Sequence, residues 1–127
     1  MLSDARGSIS MGEIGANLPF TPQRYFVVFD VPHGAVRGEH AHKHCHQFLV
    51  CLRGSISVRT DIGFEKDELV LNSPRTGLQV PPMIWGGQFN FTRDAILLVL
   101  ASQVYDESEY IREYAEFLES VRKSVGR

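Results

Sequence analysis

The sequence predicts an all-β domain that ends in one amphipathic helix. Two observations favour this fold class. Most of the chain consists of short runs of β-branched and aromatic residues separated by turn-forming residues, which is typical of a sandwich or a barrel. Near the C-terminus, apolar residues instead recur about every 3.6 positions, as they do along one face of a helix.

The predicted strands differ in exposure. Residues 25–29 and 48–52 are dense in β-branched and aromatic side chains. Residues 55–60 alternate between polar and apolar side chains, which indicates a half-buried strand. Residues 95–100 are continuously apolar, as in a strand that is covered on both faces. We therefore expect several short strands that enclose one core.

The two ends of the chain differ from this pattern. A helix is expected over residues 107–125, where Asp106 followed by Glu109 resembles a capping box. The first 20 residues show little regular pattern and are expected to form an edge strand or an arm exchanged between subunits. With no internal repeat or linker, residues 1–127 are predicted to form a single domain. The apolar stripe of the helix consists of Tyr110, Ile111, Tyr114, Phe117, Leu118, Val121 and Val125.

Composition excludes several function classes. The net charge of −2 gives no broad basic field for nucleic acid or for an anionic membrane. Two cysteines are too few for a disulfide framework. The first residues contain no apolar run of signal-peptide length, and no stretch approaches the roughly 20 apolar residues of a membrane span. A cytoplasmic protein with no nucleic-acid or membrane partner is therefore expected.

Four histidines occupy alternate positions between residues 40 and 46. Residues i and i+2 of an extended strand share a face, so His40 and His42 should project together. The spacing also matches the first motif of metal-binding cupins, in which Gly34 precedes His40 and Gly54 closes the motif. In that motif a glutamate follows the histidine pair, and this sequence has Gln47 in its place.

The second cupin motif normally supplies one further histidine, and here Gly86 or Gly87 falls at its position. Two of four ligands would thus remain, which is a poor donor set for a divalent ion. We therefore expect no metal. In an alternative arrangement, His44 and His46 replace the missing ligands, which requires the strand to stay straight through Gln47.

Beyond these motifs, the sequence resembles the dTDP-sugar 3,4-ketoisomerases, small cupins that act on dTDP-4-keto-6-deoxyglucose. The most specific feature is Arg-Gly-Glu-His-Ala-His at residues 37–42 combined with Pro-Pro-Met-Ile-Trp at residues 81–85. Further matching segments are residues 6–8, 18–20, 24–26, 51–55, 105–107 and 110–114, together with Gln47.

The resemblance implies a cupin jelly-roll barrel and a homodimer whose N-terminal strands are exchanged between subunits. It also implies a dTDP-linked keto-sugar substrate, no cofactor, and a place in the biosynthesis of surface glycans such as lipopolysaccharide O-antigen or S-layer glycan. His40 and His42 match the catalytic candidates of the family. The family usually has larger polar residues where Gly86 and Gly87 follow Trp85, which predicts a pocket that differs near the sugar.

Histidine suits the chemistry of this reaction. A 3,4-ketoisomerase tautomerises a 4-keto sugar to a 3-keto sugar through an enediol, without a redox cofactor. Imidazole has an ordinary pKa near 6.5 and can accept and return protons at neutral pH. We assign His40 as the carbon base and His42 as the partner that relays or returns the proton.

Substrate-binding residues follow from the chemistry of a nucleotide sugar. The diphosphate needs cations, for which Arg37 is the first candidate and Arg53 and Arg59 are weaker ones. Trp85 is expected either to stack on the base or to pack in the core. Gln47 is expected to take a polar role in the pocket.

Three other functions fit the sequence less well. The first is a metal-dependent small cupin enzyme, and the second is a cupin that binds a sugar or nucleotide without catalysis. The third is a sugar epimerase, although epimerases are usually longer and pair a histidine with an acid.

Overall fold

A computed structural model describes residues 2–125 of the chain. It contains eleven strands within that range and one α-helix, α1, at Tyr114–Val125. The strands are β1 Leu2–Asp4, β2 Gly7–Ile9, β3 Arg24–Phe29, β4 Ala41–His42, β5 Gln47–Arg53, β6 Ile56–Asp61, β7 Lys66–Leu71, β8 Gly77–Val80, β9 Trp85–Phe89, β10 Ile96–Ala101 and β11 Tyr110–Ile111. The predicted all-β class with a C-terminal helix is confirmed.

Two antiparallel sheets form the body of the domain. One has the strand order β3-β10-β5-β8, and the other has the order β7-β6-β9. Their inward side chains meet in one core, in which Leu49 and Leu97 of the first sheet and Ile56 and Val58 of the second are at most 2% exposed. This arrangement of facing sheets agrees with the predicted jelly roll.

The hairpin between β5 and β6 depends on one glycine. Gly54 has a φ of +74°, in the left-handed region that side chains disfavour. A Cβ atom at this position would also lie 2.8 Å from the Cα atom of Ala95. Any other residue at position 54 would therefore strain the backbone of this turn.

The C-terminal helix is shorter than predicted. Residues 107–109 form a 3₁₀ turn, which Asp106 caps by accepting a hydrogen bond from the Ser108 amide. Tyr110 and Ile111 then form β11, which pairs with β4, and α1 begins only at Tyr114. The prediction that Tyr110 and Ile111 belong to the helix is wrong, because a strand followed by a helix can by chance reproduce helical spacing.

The helix covers a second, smaller core. Phe117 of α1 is fully buried against Ala41, Trp85 and Ile111. The phenolic oxygen of Tyr114 also donates a 2.6 Å hydrogen bond to the buried carboxylate of Asp61. No helix within residues 2–125 is long and apolar enough to cross a membrane.

The N-terminal region contains a small hairpin, formed by β1 and β2. Ser10 then donates a hydrogen bond to the carbonyl oxygen of Pro74, near the start of β8. Exchange of this region between subunits stays a prediction.

Candidate active site

The segment that carries the two histidines lies between two other segments of backbone. On one side, the Gly86 amide donates to the carbonyl oxygen of His40 at 2.9 Å, and the Met83 amide donates to that of His42 at 2.8 Å. On the other side, β4 pairs with β11, and Tyr110 lies opposite His42. The backbone around both imidazoles is therefore fixed from two directions.

The alternation of side chains along this segment separates the site from the core. Ala41 is fully buried in the second core, whereas His40 and His42 line a cleft between the two sheets. Their rings lie edge to face, with centroids 4.9 Å apart. The shared face that the spacing predicted is thus present in the structure.

The wall of the cleft carries both polar and apolar groups. Gln47 of β5 and Arg59 and Thr60 of β6 provide polar groups in its wall, and Leu49 and Val80 provide apolar ones. Backbone at Gly86 and Gly87 forms another part of the wall. The cleft therefore combines the two imidazoles with a mixed polar and apolar surface.

The approach to the histidines depends on Gly38. Its φ is +70°, and a Cβ atom here would lie 2.8 Å from the side-chain amide nitrogen of Gln88. Arg37 forms two backbone hydrogen bonds with Gln88 just before this turn. Gly38 thus allows the chain, which pairs with β9 at Arg37, to turn toward His40 and the cleft.

The imidazole of His42 is buried without a hydrogen-bond partner. It is 5% exposed, and neither ring nitrogen is hydrogen-bonded within residues 2–125. Burial of an unpaired polar group carries a cost that a bound ligand can relieve. A molecule in the cleft could supply the missing hydrogen-bond partner.

Burial and nearby cations keep both imidazoles neutral. The pKa of His40 is lowered to about 4, chiefly by burial and to a smaller extent by the charges of Arg112 and Arg24. The pKa of His42 is also about 4, chiefly through burial, with smaller contributions from His40, Arg24 and Arg112, while Glu109 opposes the shift. At neutral pH both rings can therefore accept a proton.

A tyrosine and two arginines surround the imidazoles. The ring centroid of Tyr110 lies 4.9 Å from that of His40 and 4.5 Å from that of His42. Arg24 donates a hydrogen bond to the phenolic oxygen of Tyr110, and the Arg112 guanidinium lies 4.4 Å from the centre of its ring. The cationic charge nearest the histidines thus comes from β3 and from the residue after β11.

Comparison with known proteins agrees with this geometry. The family model FdtA, described as WxcM-like, C-terminal, matches residues 1–122. The chain belongs to the FdtA family. The recognised resemblance to 3,4-ketoisomerases is thereby confirmed.

Several characterised proteins are similar to this FdtA-family chain. TDP-4-oxo-6-deoxy-α-D-glucose-3,4-oxoisomerase of Aneurinibacillus thermoaerophilus is 42% identical over 120 residues, which cover 94% of this chain and 86% of that protein. A histidine-to-asparagine variant of the 3,4-ketoisomerase QdtA from Thermoanaerobacterium thermosaccharolyticum, in complex with TDP-4-keto-6-deoxyglucose, has 37% identity and a TM-score of 0.93. The alignment covers 96% of this chain and 88% of QdtA.

A 3,4-ketoisomerase from Helicobacter canadensis is also similar, at 38% identity and a TM-score of 0.92. This alignment covers 95% of the FdtA-family chain and 91% of the Helicobacter protein. These similarities confirm the predicted cupin jelly-roll fold.

The structure brings some of the predicted binding residues of this FdtA-family chain to the cleft. Gln47 is buried in its wall, and Arg59 lies at its edge with the guanidinium 4.7 Å from the Phe89 ring centre. Arg37 is exposed on the segment that leads to His40 and lies outside the described lining. The roles of these three residues in binding stay predictions.

Two other predicted residues lie elsewhere. Trp85 is 9% exposed and packs in the second core, with ring centroids 5.3 Å from Tyr114 and 5.8 Å from Phe117. It does not line the cleft, because its side chain points to the opposite face from the histidines. Strand β5 is seven residues long, with Gln47 at its start and Arg53 at its end. The two residues therefore lie about 20 Å apart along the strand.

Sequence reasoning missed several groups around the imidazoles. Tyr110 was assigned to the helical stripe, and Arg24 and Arg112 were noted only as parts of matching segments. Glu109 was interpreted as half of a capping box. Each reaches the site through contacts across more than 60 residues of sequence, which local patterns do not reveal.

Among residues 2–125, no group of three or more histidine, cysteine, aspartate or glutamate side chains is arranged to hold a metal ion. Within this range the histidine pair therefore has neither a carboxylate nor a third imidazole in ligand position.

Proposed function

We propose that this chain is a 3,4-ketoisomerase of TDP-linked 4-keto-6-deoxy sugars, in which His40 and His42 transfer the protons. The observation that carries the proposal is the pair of neutral imidazoles, 4.9 Å apart, on the wall of the cleft. The relatives described above are named for this activity, and one was crystallised with TDP-4-keto-6-deoxyglucose. We take the same compound as the substrate of this chain.

The reaction needs a base that is neutral when substrate arrives. We assign His40 to remove the proton from C3, which the C4 ketone acidifies, so that the C–H electron pair forms an enediolate. One proton then returns to C4, and another passes from the C3 oxygen to the C4 oxygen through His42. The sum is an isomerisation in which no electrons leave the sugar. A positioned base of this kind contributes about 10²–10⁴-fold to the rate.

Charged and polar groups near the histidines can hold the rest of the substrate. Arg24 and Arg112 provide the cationic charge closest to the imidazoles, Arg59 lines the cleft, and Arg37 immediately precedes Gly38 of its lining. A guanidinium can bind diphosphate oxygens with two parallel hydrogen bonds. We propose that these arginines share the diphosphate and that Gln47 contacts the sugar.

A homodimer is the proposed assembly. The outer face of the sheet β3-β10-β5-β8 carries Tyr25, Val27 and Phe29 of β3, which are 70%, 38% and 60% exposed. Leu98 and Leu100 of β10 lie beside Val27 and Tyr25 on this face. An apolar sheet face of this kind marks an interaction surface. We propose that a second copy covers it and that the N-terminal arms are exchanged, in a cytoplasmic enzyme of surface-glycan biosynthesis.

The activity is tested with TDP-4-keto-6-deoxyglucose in D₂O, followed by NMR. We expect a 3-keto product and deuterium from solvent in the sugar ring, and we expect His40→Asn and His42→Asn to suppress both. Protein treated with a chelator should behave like untreated protein. Binding without deuterium exchange would favour a non-catalytic cupin, and loss of activity on chelation would favour a metal-dependent enzyme.

A further inference from the structure

Three successive backbone amides after β4 end on one residue, Glu109. The Lys43 amide donates to its carbonyl oxygen at 2.9 Å. The amides of His44 and Cys45 both donate to the Oε1 atom of its carboxylate, the latter at 2.8 Å. The turn that follows His42 is thus tied to a single residue, through its carbonyl oxygen and its carboxylate.

Glu109 is also one peptide bond away from a residue that contacts both imidazoles. Its neighbour Tyr110 pairs with His42 across the β4–β11 ladder and lies against both imidazole rings. The carboxylate therefore links the turn after the catalytic strand to the strand that supports the rings. Its side chain is 11% exposed, so water competes little for these hydrogen bonds.

Glu109 differs from the other charged and titratable groups that shift the pKa of His42. His40, Arg24 and Arg112 lower the pKa of His42, and Tyr110 lies against its ring. Glu109 acts in the opposite direction and raises that pKa. Burial would raise the pKa of Glu109 itself, but hydrogen bonds from His44 and Cys45 outweigh burial and lower it. The carboxylate is therefore ionised at neutral pH.

We propose that Glu109 is a positioning residue for the isomerase reaction, holding the backbone that follows His42 through hydrogen bonds from three successive amides. The inference rests on the proposed function, because it assumes that His42 transfers a proton. Glu109 itself does not line the cleft and acts through His42 and Tyr110.

The ion pair between Glu109 and His44 does not account for this arrangement. The His44 ring lies 3.2 Å from the carboxylate, but its side chain is 76% exposed. Exposed ion pairs of this kind contribute little to stability. The two backbone hydrogen bonds to a buried carboxylate are the contacts whose loss matters.

The test compares Glu109→Gln with Glu113→Gln, the same substitution at an exposed glutamate four residues later. His44→Ala serves as a further control that removes the ion pair and keeps the amide. We expect kcat of Glu109→Gln to fall about tenfold or more, since a displacement of 1 Å can cost about 10²-fold. KM should change little, and both control variants should retain wild-type kcat.

A second measurement does not depend on turnover. Titration of the His42 ring by NMR, in the ligand-free protein, should give a lower pKa in Glu109→Gln than in wild type, because a negative charge has been removed. If Glu109→Gln does not fold, Glu109→Asp replaces it. Glu109→Asp keeps the negative charge, but its shorter side chain moves the carboxylate away from the His44 and Cys45 amides. We therefore expect a lower kcat and a His42 pKa close to the wild-type value.

Unchanged kcat in Glu109→Gln would overturn the proposal. The proposal would also be overturned if activity fell only in proportion to the loss of folded protein while the His42 pKa stayed unaltered. A purely structural residue would behave in that way. If wild-type protein does not isomerise the sugar, the proposed function fails, while the titration still shows whether Glu109 supports the basicity of His42.

Discussion

The Arg24 guanidinium donates a 3.2 Å hydrogen bond to the phenolic oxygen of Tyr110, whose ring in turn lies against both imidazoles. A fixed cation beside two imidazoles disfavours their protonated forms. Arg24 thus helps to set the pH range in which the histidines can act as bases, in addition to any contact it makes with substrate.

Removal of Arg24 should narrow the pH range in which the histidines can act as bases. In wild type both histidines have a pKa of about 4, so kcat/KM should stay constant from neutral pH down to about pH 5. Arg24→Met removes a cation that lowers these pKa values, so the acid limb of the profile should move to higher pH. Arg93→Met, at an exposed position, is the control. An acid limb that stays in place in Arg24→Met would show that the arginine does not tune the imidazoles.

The same depressed pKa values predict how stability depends on pH. Between about pH 4 and 6.5 the unfolded chain binds protons at His40 and His42 that the folded chain does not bind. The free energy of unfolding should therefore be highest above pH 6.5 and fall as the pH decreases toward 4. Urea denaturation at pH 7 and pH 5 measures this difference, which should be smaller in the double variant His40→Asn/His42→Asn. Equal differences in the two proteins would contradict the assignment.

Substitution of Trp85 should affect folding and leave nucleotide binding intact. Trp85→Phe removes contacts with Tyr114 and Phe117 in the second core, so the free energy of unfolding should fall by about 0.5–3 kcal/mol. Calorimetric titration with TDP should give the wild-type affinity, because Trp85 does not line the cleft. Weaker TDP binding with unchanged stability would restore a base-stacking role for Trp85.

The exposed face of the four-stranded sheet gives a test of assembly. Val27→Asp places a charge between Tyr25 and Phe29, so burial of this face in a dimer would become unfavourable. Light scattering after size exclusion should report a dimer for wild type and a monomer for the variant. Val70→Asp introduces the same change at a 56% exposed valine on β7 and should remain dimeric. A dimeric Val27→Asp protein would place the interface elsewhere.

Local patterns predicted those parts of the molecule that depend on neighbouring residues. Alternation along a strand is a property of adjacent peptide units, so it correctly placed His40 and His42 on one face. Continuous apolar composition predicted that β10 is covered on both faces, but only one face is buried. Leu97 and Val99 are buried, whereas Ile96 and Leu98 on the other face are half-buried.

Features that depend on distant residues were not predictable in this way. Tyr110 follows the periodicity of the helix that comes after it, yet its backbone pairs with His42, 68 residues earlier in the chain. Proximity in sequence makes Arg37 the first candidate for the diphosphate, which stays a prediction. It does not reveal that the cations acting on the imidazoles come from β3 and from the residue after β11.

The two-residue ladder between β4 and β11 has a consequence for dynamics. It joins Ala41 and His42 to Ile111 and Tyr110, whereas β10 is paired over six positions with β3 and again with β5. Short ladders open at lower free energy than long ones, so amide hydrogen exchange should be faster at residues 41 and 42 than in the centre of β10. Local opening of the strand that carries His42 can then occur while the two large sheets remain folded.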